Sequence, residues 1–126
     1  MITLEDYFGR MSHATPPSDE IRENAEALLL RVNGLCAFMG IRPTVNSGWR
    51  TPAYNATVPN ASPTSKHMTG QAIDLGDPDG SIDQYLFDNQ NVLETFKLWL
   101  EHPASTRGWS HCQSVPPKSG NRVFFP

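Results

Sequence analysis

Two histidines and an aspartate carry the chemistry this chain could do. His67 and Asp74 lie seven positions apart in the run Ser65-Lys66-His67-Met68-Thr69-Gly70-Gln71-Ala72-Ile73-Asp74, and His111 follows much later in Trp109-Ser110-His111. Two imidazoles and one carboxylate can hold a zinc ion and leave its fourth position to water, which separates a hydrolytic zinc site from a structural one. In the bland alternative both histidines are polar surface residues and Asp74 ends a strand. Spacing alone does not defeat that alternative, because short motifs recur by chance.

The elements around these residues must place them. Residues 71–75 alternate as a short strand, with Ile73 and Leu75 on one face and Ala72 and Asp74 on the other. The apolar pair can enter a core while Asp74 points into a cleft. Gly70 permits a positive φ and so a turn between His67 and the strand. Residues 109–113, if extended, put Trp109, His111 and Gln113 on one face and Ser110 and Cys112 on the other. Ser18 can cap a helix with Asp19 and Glu20 in its first turn. Ile21, Ala25, Leu28, Leu29, Val32, Leu35, Cys36 and Met39 then recur at helical spacing before Gly40 stops it.

Further along, residues 42–47 predict a strand leading into Arg50, and residues 51–64, rich in Pro, Ala and Asn, an irregular loop. Asp77-Pro78-Asp79-Gly80 is a turn. Asp77, Asp79 and Asp83 lack the spacing of a calcium loop, so they are expected as solvated turn residues and a helix cap. Residues 82–87 predict a short helix. Residues 91–101 predict another, with Trp99 on its core face, Glu101 and His102 at its end and Pro103 beyond. Few strands and about three helices in mixed order indicate α+β.

The segments Ser47-Gly48-Trp49-Arg50, Ser65-x-His67-x-x-Gly70-x-Ala72-x-Asp74 and Trp109-x-His111 resemble the D-Ala-D-Ala carboxypeptidase-like zinc peptidases. That group includes dipeptidases, carboxypeptidases and phage L-alanyl-D-glutamate endopeptidases, and shares its fold with the hedgehog signalling domain. The opening Ile2-Thr3-Leu4-Glu5-Asp6-Tyr7-Phe8 and the ending 119–126 are similar to phage-encoded members, so the resemblance spans nearly the whole chain. It implies an antiparallel sheet with helices packed on it, in one domain over residues 1–126. It also implies Zn2+ held by His67, Asp74 and His111, with Arg50 polarising the scissile carbonyl or holding a peptide carboxylate, and Ser65 contacting substrate. Trp109 is assigned to the substrate side of the cleft. The implied substrate is a peptidoglycan stem peptide.

One position departs from that pattern. Many relatives carry Glu or Asp three residues before the last histidine, where it serves as general base; here that residue is Gly108. Breaking an amide needs a proton delivered to the leaving nitrogen, which a metal alone does not supply. Glu101 is the preferred substitute, ahead of His102. Gly108 also keeps open a rival from another class, a non-catalytic zinc-containing module that binds peptidoglycan. A second rival is a structural virion component.

Composition narrows the field. A chain of 126 residues can bury its own core without disulfides. Its 38% hydrophobic content argues against global disorder despite eleven prolines and nine glycines. A net charge of −3, with no basic cluster, argues against nucleic-acid binding. Cys36 falls on a helical apolar stripe and is expected as a buried free thiol; Cys112 projects away from His111. The first residues lack a positive region and an apolar run, so no secretory signal is expected, and no stretch is long enough to insert in a membrane. The expectation is a monomer made in a bacterial cytoplasm, reaching the cell wall through a holin or as part of a virion.

Overall fold

The computed structural model covers residues 1–126. Three early helices are α1 (Leu4–Phe8), α2 (Met11–Ala14) and the long α3 (Asp19–Met39). Helix α3 starts as its sequence dictates: the Ser18 hydroxyl accepts the Ile21 N–H at 3.2 Å. It ends at Gly40, whose φ of 68° is left-handed. Ala25, Leu28, Leu29, Val32, Leu35 and Cys36 form its buried stripe, all in the hydrophobic core.

Strand β1 (Val45–Ser47), a short helix α4 (Pro52–Asn55) and strand β2 (Ala72–Asp77) follow. Helices α5 (Ser81–Asp88) and α6 (Gln90–Phe96) then lead to β3 (Trp99–Glu101), a 3-10 turn at Pro103–Ser105, β4 (Gly108–Gln113) and β5 (Val123–Phe124). The architecture is α+β, as expected. The strands order β1-β2-β4-β3-β5 in one sheet.

The sheet is mixed rather than antiparallel throughout. Strands β1, β2, β4 and β3 pair antiparallel, whereas β5 lies parallel to β3. The chain leaving β4 crosses β3 to reach the far edge, so β5 runs against β4 and therefore with β3.

The expected helix over 91–101 needs a second correction. Helix α6 stops at Phe96, where Lys97 takes a left-handed φ of 55° and Leu98 N–H bonds back to the Leu93 carbonyl. Leu98 and Leu100 are fully buried, and alternation from there makes a strand. Trp99, expected on a helix core face, instead lies under the Arg122 guanidinium, 4.4 Å from its ring centroid. The other predicted elements lie near their expected places, with α4 inside the loop predicted over 51–64, whereas α1, α2 and β5 have no predicted counterpart.

Register sorts the side chains. Ile73 pairs with Cys112 and Leu75 with Ser110 on the core face; Asp74 pairs with His111 and Ala72 with Gln113 on the other. Cys36 and Cys112 are both free and buried. Asp79 is exposed, but Asp77 and Asp83 are not solvated: they are 1% and 3% exposed. Asp77 caps α5 by accepting the Ile82 and Asp83 N–H groups at 3.0 and 2.9 Å.

Candidate metal centre

Ser47 pairs with Asp74, Asp74 with His111, and Glu101 with Phe124. The β3–β4 register sets Leu100 against Cys112, and its next step sets Glu101 opposite His111. Ser47, Asp74, His111, Glu101 and Phe124 therefore form one row across all five strands, on the face away from the core.

His67 arrives from the loop before β2. Gly70 has a φ of 77°, the turn its position predicts, and an added Cβ there would meet the Ile21 carbonyl oxygen. Gly48 has a different requirement, close approach: a Cβ there would overlap the Tyr7 carbonyl oxygen. Tyr7 ties this corner together, donating its hydroxyl to the Ala72 carbonyl at 2.8 Å and accepting the Trp49 N–H at 3.2 Å. Trp49 is 4% exposed, a core residue packed edge-on against Phe8.

Three side chains converge. His111 Nδ1 lies 2.8 Å from Asp74 Oδ1, and His67 Nε2 lies 3.3 Å from the same oxygen. One ligand atom from each residue lies within 4.8 Å of the others. Tetrahedral zinc with N and O ligands sets its donors about 3.4 Å apart, so these three could hold a metal ion with little adjustment.

The hydrogen bonds explain why a cation suits the site. His67 Nδ1 lies 2.7 Å from the Gly48 carbonyl, which can only accept, so that nitrogen carries the hydrogen. Burial holds His67 below the usual histidine range, favouring the neutral ring, against the pull of Asp74. The lone pair on Nε2 then faces a carboxylate oxygen. Burial alone would raise Asp74, but hydrogen bonds and charge from His111 and His67 hold it far below the ordinary carboxylate range. Burial likewise opposes charge on His111, yet the bond to Asp74 outweighs it and leaves that imidazole raised. Ionised oxygen and imidazole lone pair meet at one point, an arrangement that a metal ion completes.

Arg50 closes one side. Its guanidinium donates to Ser47 Oγ at 3.1 Å, Asn55 Oδ1 at 3.4 Å and Asp74 Oδ2 at 3.4 Å. Glu101 stands across from His111 on β3, rather than at a helix end, and burial raises its carboxyl. His102 turns elsewhere: its ring stacks on Phe125 with centroids 4.3 Å apart, and Nδ1 accepts the Ala104 N–H. Gly108 sits exposed at the start of β4 with a φ of 95°. The half-buried Trp109 follows it, on the His111 face by alternation. Ser65 is half-buried, and its hydroxyl accepts the His67 N–H at 3.3 Å.

Three neighbours went unread in the sequence: Asn55, the Gly48 carbonyl and Gln113. Asn55 braces Arg50 and donates to the Ser62 carbonyl at 2.9 Å, pinning the loop beside the cleft. Only Gln113 had a legible signal, two residues beyond His111 on the same strand face.

No curated protein and no solved structure matches this chain. The family described as Peptidase M15 matches residues 9–97. That span contains Arg50, Ser65, His67 and Asp74; Glu101, Trp109 and His111 lie beyond it and join the others through the sheet. With a match over more than half its length, the chain belongs to the M15 peptidase family.

Proposed function

We propose that this protein is a zinc-dependent peptidase that cleaves peptide bonds in bacterial peptidoglycan stem peptides. The convergence of ligand atoms from His67, Asp74 and His111, beside an arginine, carries this reading. Those three residues would hold Zn2+. When bound, the ion supplies Lewis acidity toward a carbonyl and lowers the pKa of a water to about 7.

The remaining work falls to the chain. Three of the five N–H donors of Arg50 are engaged by Ser47, Asn55 and Asp74, which leaves two for a substrate carbonyl oxygen or carboxylate. Glu101 takes the role of the acid absent at Gly108. A carboxyl raised by burial both accepts and returns a proton nearer neutral pH, and the breaking amide needs one at its nitrogen. Ser65 and Trp109 border the substrate, and the loop over 51–64 selects the bond, as carboxypeptidase or L-alanyl-D-glutamate endopeptidase. The terminal segments fit a phage-encoded lysin, either a holin-dependent endolysin or part of a virion. No helix is long and apolar enough to cross a membrane.

Mass spectrometry of peptidoglycan fragments incubated with zinc-loaded protein, against a chelated control, tests this. Zinc-dependent release of a defined peptide is expected, and the new ends name the bond. Gly108 favours a second reading, a zinc-containing binding module. Absence of cleavage across several cell-wall chemotypes, with zinc bound, would establish that reading instead.

A further inference from the structure

Strand β4 ends with a side chain that the proposed reaction does not use. Gln113 is 4% exposed, and both ends of its amide are engaged. Its nitrogen donates to the Val115 carbonyl at 2.8 Å. That carbonyl can only accept, so the amide is fixed with Oε1 on the opposite side. Oε1 lies 3.0 Å from His111 Nε2. Because Oε1 also can only accept, Nε2 of His111 carries a hydrogen, and the proton that Nδ1 presents to Asp74 is the one a metal would displace. Nδ1, the nitrogen 2.8 Å from Asp74, is then the one whose lone pair a metal can take.

We propose that Gln113, locked by the Val115 carbonyl, is a positioning residue that commits His111 to metal ligation through Nδ1. The two histidines then use opposite ring nitrogens for the same reason. Gly48 accepts from His67 Nδ1 and frees Nε2; Gln113 accepts from His111 Nε2 and frees Nδ1. A strand explains the choice: Gln113, two residues after His111, reaches the outer edge of its ring on the same face. Backbone supplies the acceptor for the loop histidine and a side chain supplies it for the strand histidine, whose neighbouring carbonyls serve the sheet. Without Oε1, the buried Nε2–H loses its partner and the ring is free to turn over. Partners of this kind hold ligand orientation, and their loss weakens metal binding by about 10–100-fold.

This rests on the zinc site proposed above, and the test separates the two. Zinc affinity is measured by competition with a chromophoric chelator for wild type, Gln113→Met and Gln113→Glu. Long-range 1H–15N spectra of the zinc-loaded wild type assign the ligating nitrogen of His111. Wild type is expected to bind zinc through Nδ1 with a protonated Nε2. Gln113→Met, similar in length but without an acceptor, should bind about 10–100-fold more weakly, and Gln113→Glu, which keeps one, should recover most of that loss. Zinc on Nε2 of His111, or Gln113→Met binding as tightly as wild type, would overturn the role of Gln113 and leave the zinc site standing. Equal loss in both variants would assign the effect to packing and also overturn it. A wild type that takes up no zinc would remove the site itself and the proposal with it.

Discussion

At the scale of single residues, the proposal divides metal holding from proton transfer, and the two separate by mutation. Alanine at His67, Asp74 or His111 removes one of three converging donors, so zinc content and peptide release should fall together. Full zinc occupancy in all three variants would dissolve the assignment. Glu101→Gln keeps shape but removes the transferable proton. Turnover should drop about 10²–10⁴-fold while zinc stays in place; unchanged turnover would exclude Glu101 from the proton transfer. His67, Asp74 and His111 could be grouped from the sequence because the family resemblance fixed which residues of the motif to bring together, and the fold does bring them together. Asn55 and the Gly48 carbonyl could not be, and Gln113 showed only the strand face it shares with His111, since a hydrogen-bond partner acts through position, and neither an amide nor a backbone oxygen has a distinctive type.

At the scale of elements, the site depends on how tightly α1 is pressed on the turn after β1. Gly48 has no room for a side chain beneath the Tyr7 carbonyl, and its own carbonyl orients His67. Gly48→Ala should therefore destabilise the protein by about 1–3 kcal/mol and weaken zinc binding as well. A variant with wild-type melting and wild-type zinc affinity would show that this corner yields freely. The long helix α3 could be read from its single buried stripe, and strands β2 and β4 from the period-two alternation of their residues, although both faces of those strands are buried. Residues 91–101 misled because Val92, Leu93, Phe96 and Leu100 satisfy a helical period while Leu98 and Leu100 also alternate. Nothing marked the break, since Lys97 fills a left-handed position where glycine usually signals a stop. The error had a functional side: Glu101 was expected at a helix end, but only as a strand residue does it share a row with His111.

At the scale of the whole molecule, one sheet separates two buried polar groups of opposite character. Asp74, on the site face, is ionised and held by its partners; Asp83, on the buried side of α5 against the other face, is desolvated and has Thr106 donating to Oδ2 at 2.6 Å. Burial raises Asp83, with the Thr106 hydroxyl pulling the other way. Its Oδ1 and the Ser110 Oγ are buried without partners. The two carboxyls impose opposite pH dependences. Asp74, lowered in the fold, adds stability that is complete above the unfolded value near 3.8 and is lost as pH falls below it. Asp83, raised in the fold, favours the native state most below that value and withdraws its contribution as pH climbs from 3.8 through its folded pKa. Above pH 4, where Asp74 no longer changes, Asp83 contributes a decline, and Glu101, also raised by burial, adds its own, so the Asp83 share is read from the difference between wild type and a variant. Asp83→Asn keeps an acceptor for Thr106 and cannot ionise, so in chelator its denaturant stability should fall less than wild type between pH 4 and 7. Parallel curves for the two proteins would mean that the buried carboxyl carries no such cost.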